Sequence, residues 1–200
     1  MTSSTHKGLP LYGLVLTGGK SVRMGTRKDL ISWHGKQQRY HIADLLRTVC
    51  EHVYISCRAD QLINTDPQYP MLPDTFSGIG PAGGILTALE FRRNAAWLVV
   101  ACDLPLVDDR TLETLVGSRD SEKIATAYLN PVDGLPEPLI AIWEPKSYGL
   151  LLEYLGKNVM CPRKMLIHAD TQLITAPDPN WLLNVNTPAD AERASSILKT

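Results

Sequence analysis

Residues 14–28, LVLTGGKSVRMGTRK, gather the residue types that handle phosphate. An apolar run ends in Thr17-Gly18-Gly19, and Lys20, Arg23, Arg27 and Lys28 follow. Glycines lack the Cβ that would keep backbone N–H groups from an anion, and the cations neutralise what those amides cradle, so a ligand with several phosphates is expected. A carboxylate stands elsewhere in a matching position. The most apolar stretch, residues 96–101, ends in Cys102-Asp103-Leu104-Pro105. The carboxyl end of a central strand is where open α/β sheets bind ligands, and a hard oxygen donor there suits Mg²⁺ held together with substrate phosphates. Asp103 is therefore the candidate metal ligand. Asp108 or Asp109 is placed to cap a helix over residues 111–116, which leaves Asp103 unneeded for that role. Two further stretches suit ligand contact. Pro73-Asp74 precedes Gly78, Gly80, Gly83 and Gly84, read as four glycines ahead of a helix and so a second surface of close backbone approach. In Asn184-Val185-Asn186-Thr187-Pro188 the two asparagines alternate on one side of an extended piece, where their amides reach a ligand together. Thr187 is the N-cap and Pro188 the first residue of a closing helix.

These residues need a scaffold in which strands alternate with helices. Strands are expected at 12–16, 52–56, 96–101, 124–128 and 139–143, the last returning from a turn-rich hairpin at 130–138 that holds Asp133-Gly134. Ile42, Leu45, Leu46 and Val49 fall at helical spacing within residues 40–49, and residues 146–155 form an amphipathic helix ended by Gly156. Such alternation implies an α/β domain with a mostly parallel sheet covered by helices on both faces, and residues 96–101 are too apolar for a strand with one wet face. Lys157, Arg163 and Lys164 form either a second basic wall for an anionic co-substrate or a solvated helix face. The 200 residues suit a single compact domain over 11–200 after a polar, mobile tail at 1–10. A net charge of −1 gives no global attraction to nucleic acid or an anionic membrane. With no apolar run long enough to span a bilayer and no signal-peptide pattern at 1–10, a cytoplasmic protein without membrane partners is expected. Cys50, Cys57, Cys102 and Cys161 show no C-x-x-C pairing, so reduced thiols are expected rather than zinc ligands or disulfides.

Two common glycine motifs do not fit the first loop. A Walker A loop needs glycine where Leu14 stands, and the dinucleotide fingerprint needs glycine where Lys20 stands. What remains, L-x-G-G-x-S-x-R-M-G followed by lysine, resembles the signature of the molybdenum cofactor guanylyltransferases, the MobA-like nucleotidyltransferases. The likeness continues at Asp74, which matches the aspartate of the family's D…G-P-x-A-G segment, and through N-x-N-T-P, in the same order over nearly the whole chain. It implies a single Rossmann-like nucleotidyltransferase domain that transfers GMP from Mg²⁺·GTP to a molybdopterin-type cofactor, giving the guanine dinucleotide form and pyrophosphate. By that resemblance Leu16, Thr17, Gly18, Gly19, Lys28, Asp74 and Asp103 bind the nucleotide. Arg23, Lys28 and Asp103 are catalytic, and Asn184 and Asn186 meet the acceptor. One departure stands out: the family's M-G-x-D-K carries Arg27 in place of its aspartate here, with Asp29 following Lys28. Gly18-Gly19 and Gly80-Pro81-Ala82-Gly83 are more similar to the guanylyl than to the cytidylyl enzymes. The alternatives are a nucleotidyltransferase that uses CTP or another phosphorylated acceptor, and a relative that binds nucleotide without turnover.

Overall fold

The computed structural model describes residues 8–17, 28–59 and 66–199. Its strands are β1 (Leu11–Leu16), β2 (His52–Cys57), β3 (Met71–Pro73), β4 (Ala96–Ala101), β5 (Ala125–Leu129), β6 (Pro136–Trp143) and β7 (Thr171–Thr175). Together they form one sheet in the order β3-β2-β1-β4-β6-β5-β7. All neighbours are parallel except the two pairs made by β6, which is antiparallel to both β4 and β5. The helices are α1 (Gln38–Leu46), α2 (Pro81–Phe91), α3 (Asp109–Gly117), α4 (Ser147–Gly156), α5 (Pro162–His168) and α6 (Pro188–Leu198). The expected α/β domain with a mostly parallel sheet is present.

Period-two alternation in the strands splits the core in two. Val15, Ile55, Leu98, Val100, Ile140 and Ile142 face one side, where Ile42 and Leu46 of α1 and Leu112 and Leu115 of α3 cover them. Leu14, Leu16, Trp97, Val99, Ala141 and Trp143 face the other, under Ile85, Leu86 and Leu89 of α2, Leu151 of α4 and Met165 of α5. Every residue of β4 is buried, as a strand covered on both faces requires. Each such aliphatic side chain contributes about 1.5–3 kcal/mol by leaving water, so the two clusters dominate the stability of the sheet.

Several boundaries differ from expectation, each for a local reason. The hairpin strand begins at Pro136 rather than at residue 139, because the β4 ladder covers only residues 140–143 of β6 and asks no N–H of Pro136 or Pro138. A register shift between Ala127 and Leu129 lets β5 follow β6 past the second proline. Helix α4 includes Gly156, and the left-handed residue that turns the chain is Asn158, at φ 59°. Gly83 and Gly84 lie inside α2 rather than ahead of it. The short edge strands β3 and β7 and the helix α5 have no counterpart among the expected elements. Residues 8–10 are joined to the sheet, since the Pro10 carbonyl accepts the Ala96 N–H at 2.9 Å and the Leu9 carbonyl accepts Arg119 Nη1 at 3.0 Å.

Candidate functional site

Strands β1 and β4 lie side by side with Leu16 opposite Ala101, and the Cys102 N–H donates to the Leu16 carbonyl at 3.1 Å. Both central strands therefore end at the same level, one running into Thr17 and the other into Asp103. Thr17 is held across to the next strand, its hydroxyl donating to the Ser56 carbonyl at 2.6 Å. The Ser56 hydroxyl in turn donates to Asp74 Oδ1 at 2.7 Å, while the Asp74 N–H donates to the Cys57 carbonyl at 2.8 Å. Burial, opposed by the Ser56 hydrogen bond, raises the Asp74 carboxyl above its ordinary value of 3.8.

The glycines of α2 make this corner possible. A methyl at Gly84 would stand 2.6 Å from Leu16 Cδ2, 2.9 Å from Ser56 Oγ and 3.5 Å from Asp74 Oδ1. One at Gly83 would stand 2.1 Å from the Phe76 carbonyl oxygen, a separation no Cβ tolerates. Just before the helix, Gly80 at φ 64°, ψ −146° occupies a region essentially reserved for glycine, and it sets Pro81 at the first helical position. The glycine-rich segment thus brings α2 against the ends of β1 and β2 while turning the chain from Asp74 into the helix.

On the other side of the sheet the Val185 N–H donates to the Asp103 carbonyl at 2.8 Å. Val185 is buried, and Asn184 and Asn186 flank it, half-buried and exposed respectively. Asp190 accepts the N–H groups of Asn186 and Thr187 at 3.0 and 2.8 Å, and the Thr187 hydroxyl accepts the Asp190 N–H at 3.2 Å. This capping box fixes the two asparagines beside the Asp103 turn. Asp108, not Asp109, caps α3, taking the Thr111 N–H at 2.8 Å.

Gly18, Gly19 and Arg23 lie outside the described residues, as does most of the basic loop. Lys28 opens a 3-10 turn, Lys28–Leu30, in which Asp29 is buried and lies 3.7 Å from Arg39 Nη1 of α1. Asp29, the acid that follows Lys28 where the family pattern has one before it, therefore turns inward and ties this turn to α1. Gln38, fully buried at the start of α1, donates to the Leu104 carbonyl at 3.4 Å, and His34 Nε2 lies 2.9 Å from the Pro105 carbonyl. The segment after the loop is thus bound to the turn that carries Asp103.

A charged assembly that sequence reasoning did not anticipate completes this end of the sheet. The antiparallel register Val100↔Ile140 leads on toward Asp103 in one strand and Glu137 in the other. Glu137 is 2% exposed, and Arg163 Nη2 of α5 meets its Oε2 at 2.6 Å, while Arg163 Nη1 meets Asp133 Oδ2 at 2.8 Å. Burial foremost, with the nearby charge of Asp103 adding, pushes the Glu137 carboxyl up against the pull of Arg163. Alternation counted back from Trp143 through Ala141 and Leu139 already turned residue 137 inward, and that was the available signal. Of the three cations in this region, Lys157 pairs on the surface with Glu153 at 2.5 Å and Lys164 is exposed. Arg163 alone of the three is built into the sheet edge.

The donor set suits a hard cation shared with phosphates. Asp103 offers a half-buried carboxylate at the strand end, and among the described residues no group of three or more His, Cys, Asp or Glu side chains forms a closed metal cage. Mg²⁺ is commonly bound in this way, by one or two carboxylates completed by substrate phosphates and water.

Residues 13–173 match the family model described as the MobA-like NTP transferase domain. The chain belongs to this family. A Synechocystis relative, "Molybdenum cofactor biosynthesis bifunctional protein", is 40% identical over 182 residues. That match covers 90% of this chain and 52% of the relative, so the chain spans about half the length of the bifunctional protein. A Carboxydothermus hydrogenoformans protein, "Probable molybdenum cofactor guanylyltransferase", is 30% identical, with 92% of this chain and 94% of the relative covered. Among solved structures, the molybdopterin-guanine dinucleotide biosynthesis protein A of Archaeoglobus fulgidus superposes with a TM-score of 0.78 at 21% identity, covering 94% of this chain and 98% of that one. That superposition shows that the MobA-like fold is shared. This MobA-like chain is thus a nucleotidyltransferase by family, and no helix among its described residues is long and apolar enough to cross a membrane.

Proposed function

We propose that this MobA-like chain transfers GMP from GTP to the phosphate of a molybdopterin-type cofactor in the cytoplasm, releasing pyrophosphate and forming the guanine dinucleotide cofactor. The observation that carries the reading is convergence. Thr17, the Ser56–Asp74 pair, Gly84, Asp103 and the Asn184–Asn186 segment meet at one edge of the sheet, in a chain whose full-length relatives are named for this activity.

The chemistry brings an acceptor phosphate oxygen against the α-phosphorus of GTP. A new P–O bond forms there as the bond to the β-phosphate oxygen breaks, and pyrophosphate leaves with the electron pair. The attacking phosphate is already ionised near neutral pH, so no general base is required. Two anions must approach and charge builds on the leaving group, so positioning and electrostatic stabilisation supply most of the rate. In this reading the backbone around Leu16, Thr17, Gly18 and Gly19 holds the nucleotide and Asp74 accepts a hydrogen bond from it. Arg23 and Lys28 stabilise the developing charge, and Asn184 and Asn186 orient the acceptor. Asp103 would hold Mg²⁺, which when bound neutralises triphosphate oxygens.

The test is direct: incubate the protein with Mg²⁺ and either GTP or CTP, with and without molybdopterin, and measure pyrophosphate. Release that needs both GTP and molybdopterin is expected. Release with CTP instead, or with GTP and a different phosphorylated acceptor only, replaces the substrate assignment. GTP binding without release in any combination points to a relative that does not turn over.

A further inference from the structure

Three consecutive carbonyls of the turn that follows β4 are each gripped by a donor from elsewhere in the chain. The Asp103 carbonyl accepts the Val185 N–H at 2.8 Å, the Leu104 carbonyl accepts Gln38 Nε2 at 3.4 Å, and the Pro105 carbonyl lies 2.9 Å from His34 Nε2. A carbonyl only accepts, so His34 Nε2 carries the hydrogen. Gln38 and His34 belong to one closed loop. The Gln38 N–H donates to the Ile31 carbonyl at 2.8 Å, Ser32 bridges to Gln37, and Gly35 at φ 72° turns the tip in a conformation that favours glycine. His34 is fixed further by stacking on His41 of α1, with ring centroids 3.8 Å apart and planes at 14°. Burial foremost, with His34 adding, lowers His41 to about 4, so the stacked partner is uncharged near neutral pH.

Packing does not explain why position 38 is polar. The Gln38 side chain is fully buried, and its Oε1 has no hydrogen-bond partner among the described residues. Turning the amide over would set its oxygen against the Leu104 carbonyl and orphan the nitrogen instead. The Leu104 carbonyl also accepts the Val107 N–H at 3.5 Å, so it does not depend on Gln38 alone. An apolar side chain of similar length would lose one long hydrogen bond and remove a buried, unpaired acceptor, and the second effect is the larger. A polar residue kept where an apolar one would be more stable points to function.

We propose that Gln38 is a positioning residue for Asp103: together with His34 it holds the turn from behind, so that the carboxylate meets a divalent cation in one orientation. This rests on the reading above that Asp103 holds Mg²⁺. Neither side chain touches the cation, and both act through the two carbonyls that follow Asp103. Loss of a group that orients a metal-ligating side chain typically weakens metal binding ten- to a hundredfold, and Gln38, acting through the main chain, belongs at the lower end of that range.

The experiment compares the wild type with Gln38→Met, with His34→Phe, which keeps a ring to stack on His41, and with His34→Gln, which keeps an Nε2 donor. Mn²⁺ binding in the presence of a GTP analogue that cannot be cleaved is followed by electron paramagnetic resonance, beside thermal unfolding. Gln38→Met should bind Mn²⁺ about tenfold more weakly while its Tm stays level or rises by about 2–4 °C. His34→Phe should bind Mn²⁺ about threefold more weakly, the worth of a neutral hydrogen bond, and His34→Gln should restore most of that. Binding of the analogue in EDTA should be the same in every protein. A Gln38→Met protein that binds Mn²⁺ as tightly as the wild type overturns the proposal. So does one that loses Mn²⁺ affinity only together with Tm, which would mark Gln38 as a packing residue. If the wild type itself binds no Mn²⁺, the metal reading fails separately, and amide hydrogen exchange of Gln38→Met then decides. Faster exchange of the Val107 N–H with unchanged exchange of the Cys102 N–H supports the positioning of the turn. Wild-type exchange at Val107, or loss of protection at both, refutes it.

Discussion

Replacing Gly84 by alanine separates the role of α2 as a helix from its proposed role as a wall of the nucleotide site. Within a helix interior alanine is favoured over glycine by about 1 kcal/mol, so propensity alone predicts a more stable protein. Packing opposes this. The new methyl would lie 2.6 Å from Leu16 Cδ2 and 2.9 Å from Ser56 Oγ, where carbon contacts settle at about 3.5–4.0 Å. The Leu16 methyl must therefore swing by about 1 Å and the Ser56 hydroxyl by roughly half that, and such overpacking costs about 1–3 kcal/mol. The net loss is about 0–2 kcal/mol, a fall in Tm of at most about 8 °C for a domain of this size. The functional effect should be larger than the structural one. Ser56 holds Asp74 at 2.7 Å, and Leu16 ends the strand that runs into Thr17. A displacement of about 1 Å in a positioning group can cost up to about a hundredfold, so a rise of about tenfold or more in the GTP KM is expected, with the molybdopterin KM little changed. The assay is steady-state pyrophosphate release beside thermal unfolding, with Gly83→Ala as the contrast. There the clash is with the Phe76 carbonyl at 2.1 Å, backbone that cannot swing aside, so stability should fall further. A Gly84→Ala protein with unaltered GTP KM would refute the reasoning that close approach of α2 shapes the nucleotide side.

Two further predictions concern buried charge. Asp74 has its pKa raised by burial, so the folded state binds its proton more readily than the unfolded chain and stability falls as pH rises above about 3.8. Asp74→Asn keeps an acceptor for Ser56 and removes that cost, so it should be more stable than the wild type at pH 7 and no more stable well below pH 3.8, while binding GTP more weakly. Denaturant unfolding across pH checks this, and a variant less stable at pH 7 contradicts it. Arg119 grips the buried Glu144 with Nε at 2.7 Å and Nη2 at 3.0 Å, joining the end of α3 to the end of β6. Arg119→Ala leaves Glu144 without its countercharge and should cost about 3–5 kcal/mol, a Tm fall of roughly 6–20 °C. The double variant Arg119→Met with Glu144→Gln should recover most of it in thermal unfolding, and a single variant with wild-type Tm would show the pair to be dispensable.

How much of this was legible in the chain depended on whether the physical cause was local. The unbroken apolar run of β4 and the polar turn after it located Asp103 without any knowledge of its neighbours. Thr187, Pro188 and Asp190 announced α6 because a capping box is made of residues three apart. Gly83 and Gly84 lie inside α2, where the sequence pattern does not place them, for the opposite reason. What demands glycine there is the Phe76 carbonyl and the Leu16 side chain arriving from elsewhere, and helix propensity alone argues against glycine at such positions. The antiparallel insertion of β6 between β4 and β5 is likewise set by pairing across the sheet. Arg163 illustrates the same limit: its charge was visible, but its meaning came from Glu137 and Asp133, 26 and 30 residues away in sequence. Arg27, the departure from the family pattern, lies outside the described residues, whereas the acid that follows it, Asp29, is buried against Arg39.

The account depends most on the carboxylate that follows β4. Asp103→Asn preserves shape and leaves the Val185 N–H bonded to the same main-chain carbonyl, so the fold should persist, as judged by circular dichroism and Tm. With Mg²⁺, GTP and molybdopterin at saturation, pyrophosphate release by this variant should fall by about two orders of magnitude or more, the loss expected when a centre of transition-state charge stabilisation is removed. A folded Asp103→Asn protein that turns over at the wild-type rate would contradict the central claim.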